Sequence, residues 1–163
     1  MPKTFLVWNK RDGVSCPVIV DEEDFEFVKR FKWSLEKGKS TYYAITDIGG
    51  KVIRLHQLLL PSEDINITPD HKNGNGLDCR RENLRLANKV QQAQNRSKKA
   101  GTLHKYKGVS FRSGRFQARI IVNGKTISLG NFLSQVSAAR AYNEAAVKYF
   151  GEFAKLNQIE VVN

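Results

Sequence analysis

The dipeptide Asn123-Gly124 lies between two segments of alternating apolar and polar residues, and it constrains the fold of this chain more than any other feature. Asn-Gly is the strongest short signal for a two-residue hairpin, because both residues tolerate the positive φ that such a turn requires. A second turn is indicated at Ser113-Gly114. Together the two turns predict three antiparallel strands, over residues 108–112, 115–122 and 125–132.

The segment that follows this predicted sheet has the features of one helix. Residues 134–150 are rich in alanine, and Gly151 is a suitable stop. Tyr142 and Tyr149 are expected to fill the gaps between the small residues and the sheet. On the middle strand one face carries Phe116, Ala118, Ile120 and Val122, and the other carries Arg115, Gln117 and Arg119. We expect the first face to pack on the helix and the second to be either a ribbon that enters the DNA major groove or a merely solvated surface.

A polar stretch, residues 70–84, brings together a carboxylate, an imidazole and an amide. Asp70 offers oxygen ligands that suit Mg²⁺ or Mn²⁺, His71 can accept a proton near neutral pH, and the amide of Asn83 can fix a tautomer of the imidazole. These are the parts that phosphodiester hydrolysis requires. The neighbouring cations, which suit a phosphate site, are Arg80, Arg81 and Arg85. The alternative is a solvated loop whose Asn and Gly residues only form turns.

The net positive charge of the chain comes entirely from its second half. Residues 1–69 contain ten Lys/Arg and ten Asp/Glu, whereas residues 70–163 contain seventeen and six and carry the whole formal net charge of +11. This split indicates an anionic partner. The two cysteines, Cys16 and Cys79, do not form a disulfide framework, and a mixed zinc site with His56 and His71 lacks the usual ligand spacing. The pattern predicts a soluble protein of a reducing cytosol, with no membrane span.

The first half of the chain predicts short elements that lead to the polar stretch. Strands are indicated at residues 5–8 and 17–20, a helix from the acidic turn at 21–24, and a hairpin of residues 42–45 and 51–55. Trp33 is interpreted as a core residue. After a loop at 61–69, a strand is predicted at 84–87 and a helix at 88–98. The basic stretch 95–106 is interpreted as a linker whose Arg96 could contact phosphate.

In order and spacing, the residues around His56, Asp70-His71, 78–85 and 91–96 resemble the HNH endonucleases, the ββα-metal nucleases of phage and intron-homing type. The resemblance implies that Asp70 is a metal ligand and that His71 is the general base. It also implies that Asn83 orients this base and that His56 supports it. The family has an asparagine or histidine as second metal ligand where Gln92 stands, and Asn95 lies one turn further along the predicted helix. The implied cofactor is Mg²⁺ or Mn²⁺.

Four blocks, residues 106–109, 129–132, 138–146 and 154–157, resemble the DNA-binding domain of plant Apetala-two and ethylene-response factors. The DNA-contacting positions that the resemblance implies are Lys107, Ser110, Arg112, Arg115, Arg119, Thr126 and Ser128, and the cationic face adds Gln117. Ser110, Thr126 and Ser128 replace Arg or Trp of the plant pattern, so the plant target sequence is not assumed.

We therefore predict an α+β chain. An HNH module spans residues 1–98, with its core at about 50–98, and a basic linker spans 99–105. A three-stranded antiparallel sheet packed on one helix spans 106–157, and a tail spans 158–163. The predicted function is metal-dependent cleavage of double-stranded DNA, of homing or phage type, in the cytoplasm of a bacterial or phage-infected cell. The alternatives are a non-catalytic DNA-binding regulator with a degenerate HNH module and an RNA-binding or RNA-processing protein.

Overall fold

A computed structural model describes residues 1–9, 11–97 and 105–159. The chain packs as two compact units, Met1–Val90 and Gln91–Asn163. Most of the predicted linker and the end of the predicted tail lie outside the described residues, so the limits of those two segments stay predictions. None of the helices in the described ranges has the length and hydrophobicity of a membrane-crossing segment.

The first unit is built from small antiparallel sheets joined by short helices. One sheet is a hairpin of β1 (Lys3–Asn9) and β2 (Val14–Val20). A second sheet contains β3 (Ser34–Lys37), β4 (Tyr42–Ile48) and β5 (Lys51–Arg54), and a third pairs β6 (Ile67–His71) with β7 (Leu84–Asn88). Its helices are α1 (Glu22–Val28) and α2 (Leu55–Leu59), and a 3-10 turn, Arg81–Asn83, precedes β7. Helix α3 (Lys89–Gln94) begins in the first unit and continues past Val90 into the second.

Aliphatic side chains from these sheets and helices form the core of the first unit. Its most buried members are Val7, Val18, Val20, Val28 and Leu55. Trp33 packs against this core and its indole N–H donates to the carbonyl of Val28 at 2.9 Å, which confirms the prediction for Trp33. Strand β3 was not predicted, because four residues with one buried side chain give too short a pattern to recognise.

The loop predicted at residues 61–69 ends earlier than expected. Residues from Ile67 onward belong to β6, where Pro69 is opposite Leu86 of β7. A proline donates no backbone hydrogen bond, and it is tolerated here because a two-stranded sheet leaves one edge of each strand unpaired. The predicted helix at 88–98 is also shorter, since α3 ends at Gln94, although the amide of Asn95 still donates to the carbonyl of Gln91 at 3.0 Å.

The second unit confirms the predicted sheet and helix. Its strands are β8 (Val109–Arg112), β9 (Arg115–Val122) and β10 (Lys125–Phe132), in the order β10-β9-β8. Ser113 and Asn123 have φ of 51° and 50°, as the two tight turns require. Helix α4 (Gln135–Phe150) is capped by the hydroxyl of Ser134, which accepts from the amide of Ser137 at 3.0 Å.

Alanines let α4 lie close to the apolar face of the sheet. Its buried residues include Ala138, Ala139 and Tyr142. The prediction that Tyr149 fills the gap was wrong, because this side chain is 41% exposed and Phe150 is buried instead. One step along a helix turns the side chain by about 100°, so a one-residue difference moves an aromatic ring from the core to solvent.

The residue Asn157 joins the end of this unit to its beginning. Its side chain accepts from the amide of Lys107 at 2.6 Å and donates to the carbonyl of the same residue at 3.1 Å. Its backbone amide and carbonyl bond to the side chain of Asn143 at 2.7 and 2.9 Å. Gly108 follows Lys107 with φ of +74°, and a Cβ there would overlap the ring of Tyr142. The start of β8 is therefore held by specific contacts with the helix and with the segment after it.

Candidate functional site

Asp70 and His71 are the last two residues of β6, and the pleat of the strand directs their side chains to opposite faces. His71 is 5% exposed and faces the interior of the first unit. The side chain of Asp70 is 20% exposed, and it lies 3.5 Å from the guanidinium of its cross-strand partner Arg85. The hairpin therefore separates a buried imidazole from a carboxylate that solvent reaches.

His71 belongs to a cluster of three rings and a thiol. The ring centroids of His56 and His71 are 4.6 Å apart in an edge-to-face arrangement, and the Tyr43 ring lies 5.5 Å from the first and 6.0 Å from the second. The thiol of Cys79 is 3.7 Å from Nε2 of His71. Nδ1 of His56 is buried and has no hydrogen-bond partner among the described residues. Helix α2 thus places the predicted supporting histidine directly against the predicted base.

Burial sets the charge of this cluster. It lowers the pKa of His71 to about 4, against a smaller upward effect from the Asp78 carboxylate. Burial also lowers the pKa of His56 to about 3, and the charges of His71 and Arg54 lower it further. The pKa of the Cys79 thiol is raised to about 12, first by burial and then by Asp78. Near pH 7 both imidazoles are neutral and the thiol keeps its proton.

The loop between β6 and β7 is closed by the amide of Asn83. Its oxygen accepts from the backbone N–H of Asn73 at 3.0 Å, and its NH₂ donates to the side-chain oxygen of Asn73 at 3.1 Å and to the carbonyl of Asp78 at 2.7 Å. The Asn73 amide in turn donates to the Asp78 carboxylate at 2.9 Å. These bonds order the loop that follows His71, and a direct role of Asn83 in orienting the imidazole stays a prediction.

The predicted phosphate ligands Arg80 and Arg81 are occupied by carboxylates. Nε and a terminal nitrogen of Arg80 each donate to Asp78 at 2.8 Å, which lowers the pKa of that carboxyl. Arg81 makes the same kind of fork with Asp24 of α1, at 2.9 and 2.6 Å. In each pair one carboxylate accepts from two nitrogens of one guanidinium. The two residues act as ties within the first unit, and their predicted contact with DNA is left without structural support.

The donor chemistry of Asp70 fits a hard cation such as Mg²⁺ or Mn²⁺, since its carboxylate is partly exposed and can give oxygen ligands. The described part of the chain holds no group of three or more His, Cys, Asp or Glu side chains placed to bind one metal ion. Gln92 and Asn95 belong to the second unit, and their part in metal binding stays a prediction.

Except for Arg96 and Lys107, the predicted DNA-contacting residues of the second unit share one face of its sheet. Strand alternation and register put them, with Ile121, on the side away from α4, and we call this set the outer face: Ser110, Arg112, Arg115, Gln117, Arg119, Ile121, Thr126 and Ser128. Arg119 is opposite Ser128 and donates to the hydroxyl of Ser110 at 3.4 Å. The predicted division of β9 into an apolar and a cationic face is confirmed, except that Ile121 is an apolar member of the second.

Lys107 is not on the outer face. Its ammonium donates to the carbonyls of Gln94 and Arg96 at 2.6 and 2.8 Å. Burial and then the charge of Lys155 lower the pKa of Lys107 to about 8. The side chain therefore ties two segments of the second unit together, while Arg96 itself is exposed.

Sequence reasoning missed the contacts that four residues make in the first site. Tyr43 and Cys79 contact the imidazoles, and no local pattern connects either of them with His71. The need for a glycine at position 76 becomes clear only from the structure, where a Cβ would lie 2.7 Å from ring atoms of Tyr43 and would overlap them. Asn73, by contrast, stands in an Asn-Gly pair, and this turn signal could have drawn attention to its side chain.

Comparison with known proteins finds a relative along nearly the whole chain. The chain is 33% identical to an uncharacterized HNH endonuclease of Acanthamoeba polyphaga mimivirus over 165 aligned residues, which cover 96% of this chain and 81% of that protein. A stretch of 54 residues, 32% of the chain, is 46% identical to an AP2-like ethylene-responsive transcription factor of Arabidopsis thaliana and covers 11% of it. An APETALA2-like protein of Oryza sativa is 44% identical over the same length, 12% of that protein.

No protein-family model matches the chain, and no solved structure matches it. The mimivirus protein is nevertheless 33% identical over 96% of this chain and 81% of its own length. The chain therefore belongs to the HNH endonuclease family.

Proposed function

We propose that this chain is a divalent-metal-dependent DNA endonuclease whose first unit hydrolyses phosphodiester bonds and whose second unit binds duplex DNA. The observation that carries the proposal is the Asp70-His71 pair at the end of β6, in a chain of the HNH endonuclease family. The pair supplies a carboxylate and a proton acceptor one residue apart, which is what water activation at a phosphate requires.

In this proposal His71 takes a proton from the attacking water, and His56 packs against the His71 ring. Asn83 keeps the following loop closed. Asp70 holds the cation, with Gln92 or Asn95 as the second protein ligand. A bound Mg²⁺ or Mn²⁺ neutralises charge on the scissile phosphate.

The outer face and the charge of the second unit support its assignment to DNA binding. Residues 91–163 contain twelve Lys/Arg and three Asp/Glu, a net of +9. The outer face includes Arg112, Arg115 and Arg119 and no acidic residue. A stretch of 54 residues of the chain is similar to a protein named as a transcription factor. Phosphate contacts from such a face give affinity that falls with salt, and contacts to base edges give site preference.

A non-catalytic DNA-binding regulator is the second candidate, because particular contacts in the first unit favour it. The imidazole of His71 is 5% exposed, so little of it is open to a water molecule. Arg80 and Arg81 are held by carboxylates rather than free to bind phosphate. These features suit a module that keeps the fold of a nuclease without its chemistry.

Cleavage assays with the full-length chain separate the two candidates. We expect supercoiled plasmid to be nicked or linearised in Mg²⁺ or Mn²⁺ and left intact in EDTA. His71→Ala and Asp70→Ala should abolish cleavage and keep DNA binding in gel-shift experiments, since neither change touches the outer face. His104→Ala is the matched control, because it removes an imidazole that no predicted site uses. Binding without cleavage in either metal would favour the regulator, and cleavage of RNA alone would contradict both candidates.

Metal titrations address the second ligand. If Gln92 binds the cation, Gln92→Ala should need far more Mn²⁺ for half-maximal activity than Asn95→Ala does. The reverse order would assign Asn95. Titrations identical to that of the parent for both variants would show that neither side chain coordinates.

The substitution Arg119→Ala tests what the outer face reads. If Arg119 contacts a base, the variant should lose about 1–3 kcal/mol at the preferred site and little elsewhere. If it contacts only phosphate, binding to all sequences should weaken alike, and the slope of log affinity against log salt should fall by about one. Arg140→Ala, an exposed arginine on α4, is the control and should change neither quantity.

A further inference from the structure

The outer face of the second unit has one large apolar side chain among polar and cationic ones. Ile121 is 64% exposed, and the other seven members of the face are Arg, Gln, Ser or Thr. Its cross-strand partner is Thr126, and Arg119 lies two residues away on the same strand and face, about 7 Å along it. An exposed isoleucine is ordinary on many surfaces. Ile121 differs from an ordinary exposed isoleucine because the other side chains of its face are all polar or cationic.

We propose that Ile121 reads a thymine by contact with the C5 methyl group in the major groove. The inference rests on the proposed function, in which the outer face binds duplex DNA. The net charge of +9 in residues 91–163 and the absence of acidic residues from the outer face are complementary to a phosphate backbone. Within the major groove the thymine methyl is the apolar group on the base edges, so it is the natural partner of an isoleucine that lies next to Arg119 on a cationic face.

The same reasoning selects duplex DNA over RNA as the occupant. RNA carries uracil, which lacks the methyl group, and the deep, narrow major groove of an A-form helix does not admit side chains. The B-form major groove is wide enough for a β-ribbon. An apolar residue between Arg119 and the β9–β10 turn would gain little from an RNA helix and would gain a specific contact from a thymine.

Replacing single thymines by deoxyuridine tests this contact directly, because the change removes the methyl group and leaves base pairing intact. The preferred site is first selected from a randomised duplex library with the full-length chain. Affinity is then measured by fluorescence anisotropy in EDTA for each single deoxyuridine duplex. We expect one or two positions at which the parent loses roughly fourfold in affinity, the loss expected for about one buried methyl group.

In the variant Ile121→Ala the same deoxyuridine duplexes should bind as tightly as the thymine duplexes. Leu133→Ala is the matched control, since Leu133 is an apolar residue that is 80% exposed just beyond β10, and it should keep the full sensitivity to deoxyuridine. Far-UV circular dichroism checks that both variants fold.

Two results would overturn the proposal while leaving DNA binding by the outer face in place. One is that no thymine of the selected site responds to loss of its methyl group, and the other is that Ile121→Ala responds as the parent does. If the chain does not bind duplex DNA at any salt concentration, the proposed function itself fails, and the reading of thymine fails with it. Binding without any site preference would mean that the protein contacts only phosphates, and this result would also exclude a base contact by Ile121.

Discussion

Lowering the pH from 7.5 to 5 should destabilise the first unit, because His56 is buried in its neutral form. Burial lowers the pKa of this imidazole from 6.5 to about 3 in the folded chain, and the unfolded chain keeps the ordinary value. The unfolded state therefore takes up a proton below pH 6.5, whereas the folded state does so only near pH 3. The stabilising contribution of neutral His56 is complete above pH 6.5 and is lost as the pH falls toward 3.

The magnitude follows from the two pKa values of His56. At pH 5 the difference in proton uptake corresponds to about 2 kcal/mol of unfolding free energy, at about 1.4 kcal/mol for each pKa unit. With a urea dependence of roughly 1 kcal/mol per molar, the midpoint of unfolding should fall by roughly 2 M for this residue alone. The lowered pKa of His71 adds to the same fall.

Tryptophan fluorescence is the right measurement, because the two tryptophans of the chain, Trp8 and Trp33, both lie in the first unit. Urea titrations at pH 7.5 and 5, with EDTA present, should be run on the parent and on His56→Phe. The variant replaces one ring by another that does not titrate, so its pH dependence should be smaller than that of the parent by about 2 kcal/mol. An undiminished pH dependence in His56→Phe would refute the claim that His56 is buried and neutral.

Two further substitutions test packing and ion pairing in the two units. Gly108→Ala should destabilise the second unit by several kcal/mol, more than the ~1–3 kcal/mol usual for overpacking, because the new Cβ overlaps the ring of Tyr142 at a positive φ. Limited proteolysis would detect unfolding of the second unit. Unchanged resistance to the protease would contradict the overlap. Asp24→Asn should lower the free energy of unfolding in urea titrations by about 1–3 kcal/mol, because it breaks the two-bond ion pair with Arg81. The control Glu26→Gln, on the exposed side of α1, should leave this free energy almost unchanged. Equal losses in the two variants would contradict a special role for Asp24.

The second unit was predicted from sequence almost completely, because its signals are local. The Asn123-Gly124 turn, the alternation along β9 and the Gly151 stop each depend on residues within a few positions of one another. The prediction for Tyr149 was wrong because the sequence allows either Tyr149 or the adjacent Phe150 to lie on the buried side of α4. Only packing against the sheet decides between them.

The candidate site in the first unit was predicted less well, because its decisive contacts join residues far apart in sequence. Arg81 was assigned to phosphate from the local density of arginines, but its partner Asp24 is 57 positions away. The sequence placed His71 next to a turn and said nothing of its burial, which comes from the Tyr43 and His56 rings brought in by β4 and α2. The family motif supplied the order of these residues, and the burial that sets their charge comes from tertiary packing alone.

The four hydrogen bonds of Asn157 have a practical consequence for making the second unit as a separate fragment. Asn157 bonds to both backbone groups of Lys107 and to the side-chain amide of Asn143, so it fixes the end of the unit to its beginning and to α4. A fragment cut after α4 would include every strand and α-helix of the sheet-and-helix fold and still lose these bonds. The useful boundary for expression therefore lies beyond Asn157, at a position that a list of helices and strands does not reveal.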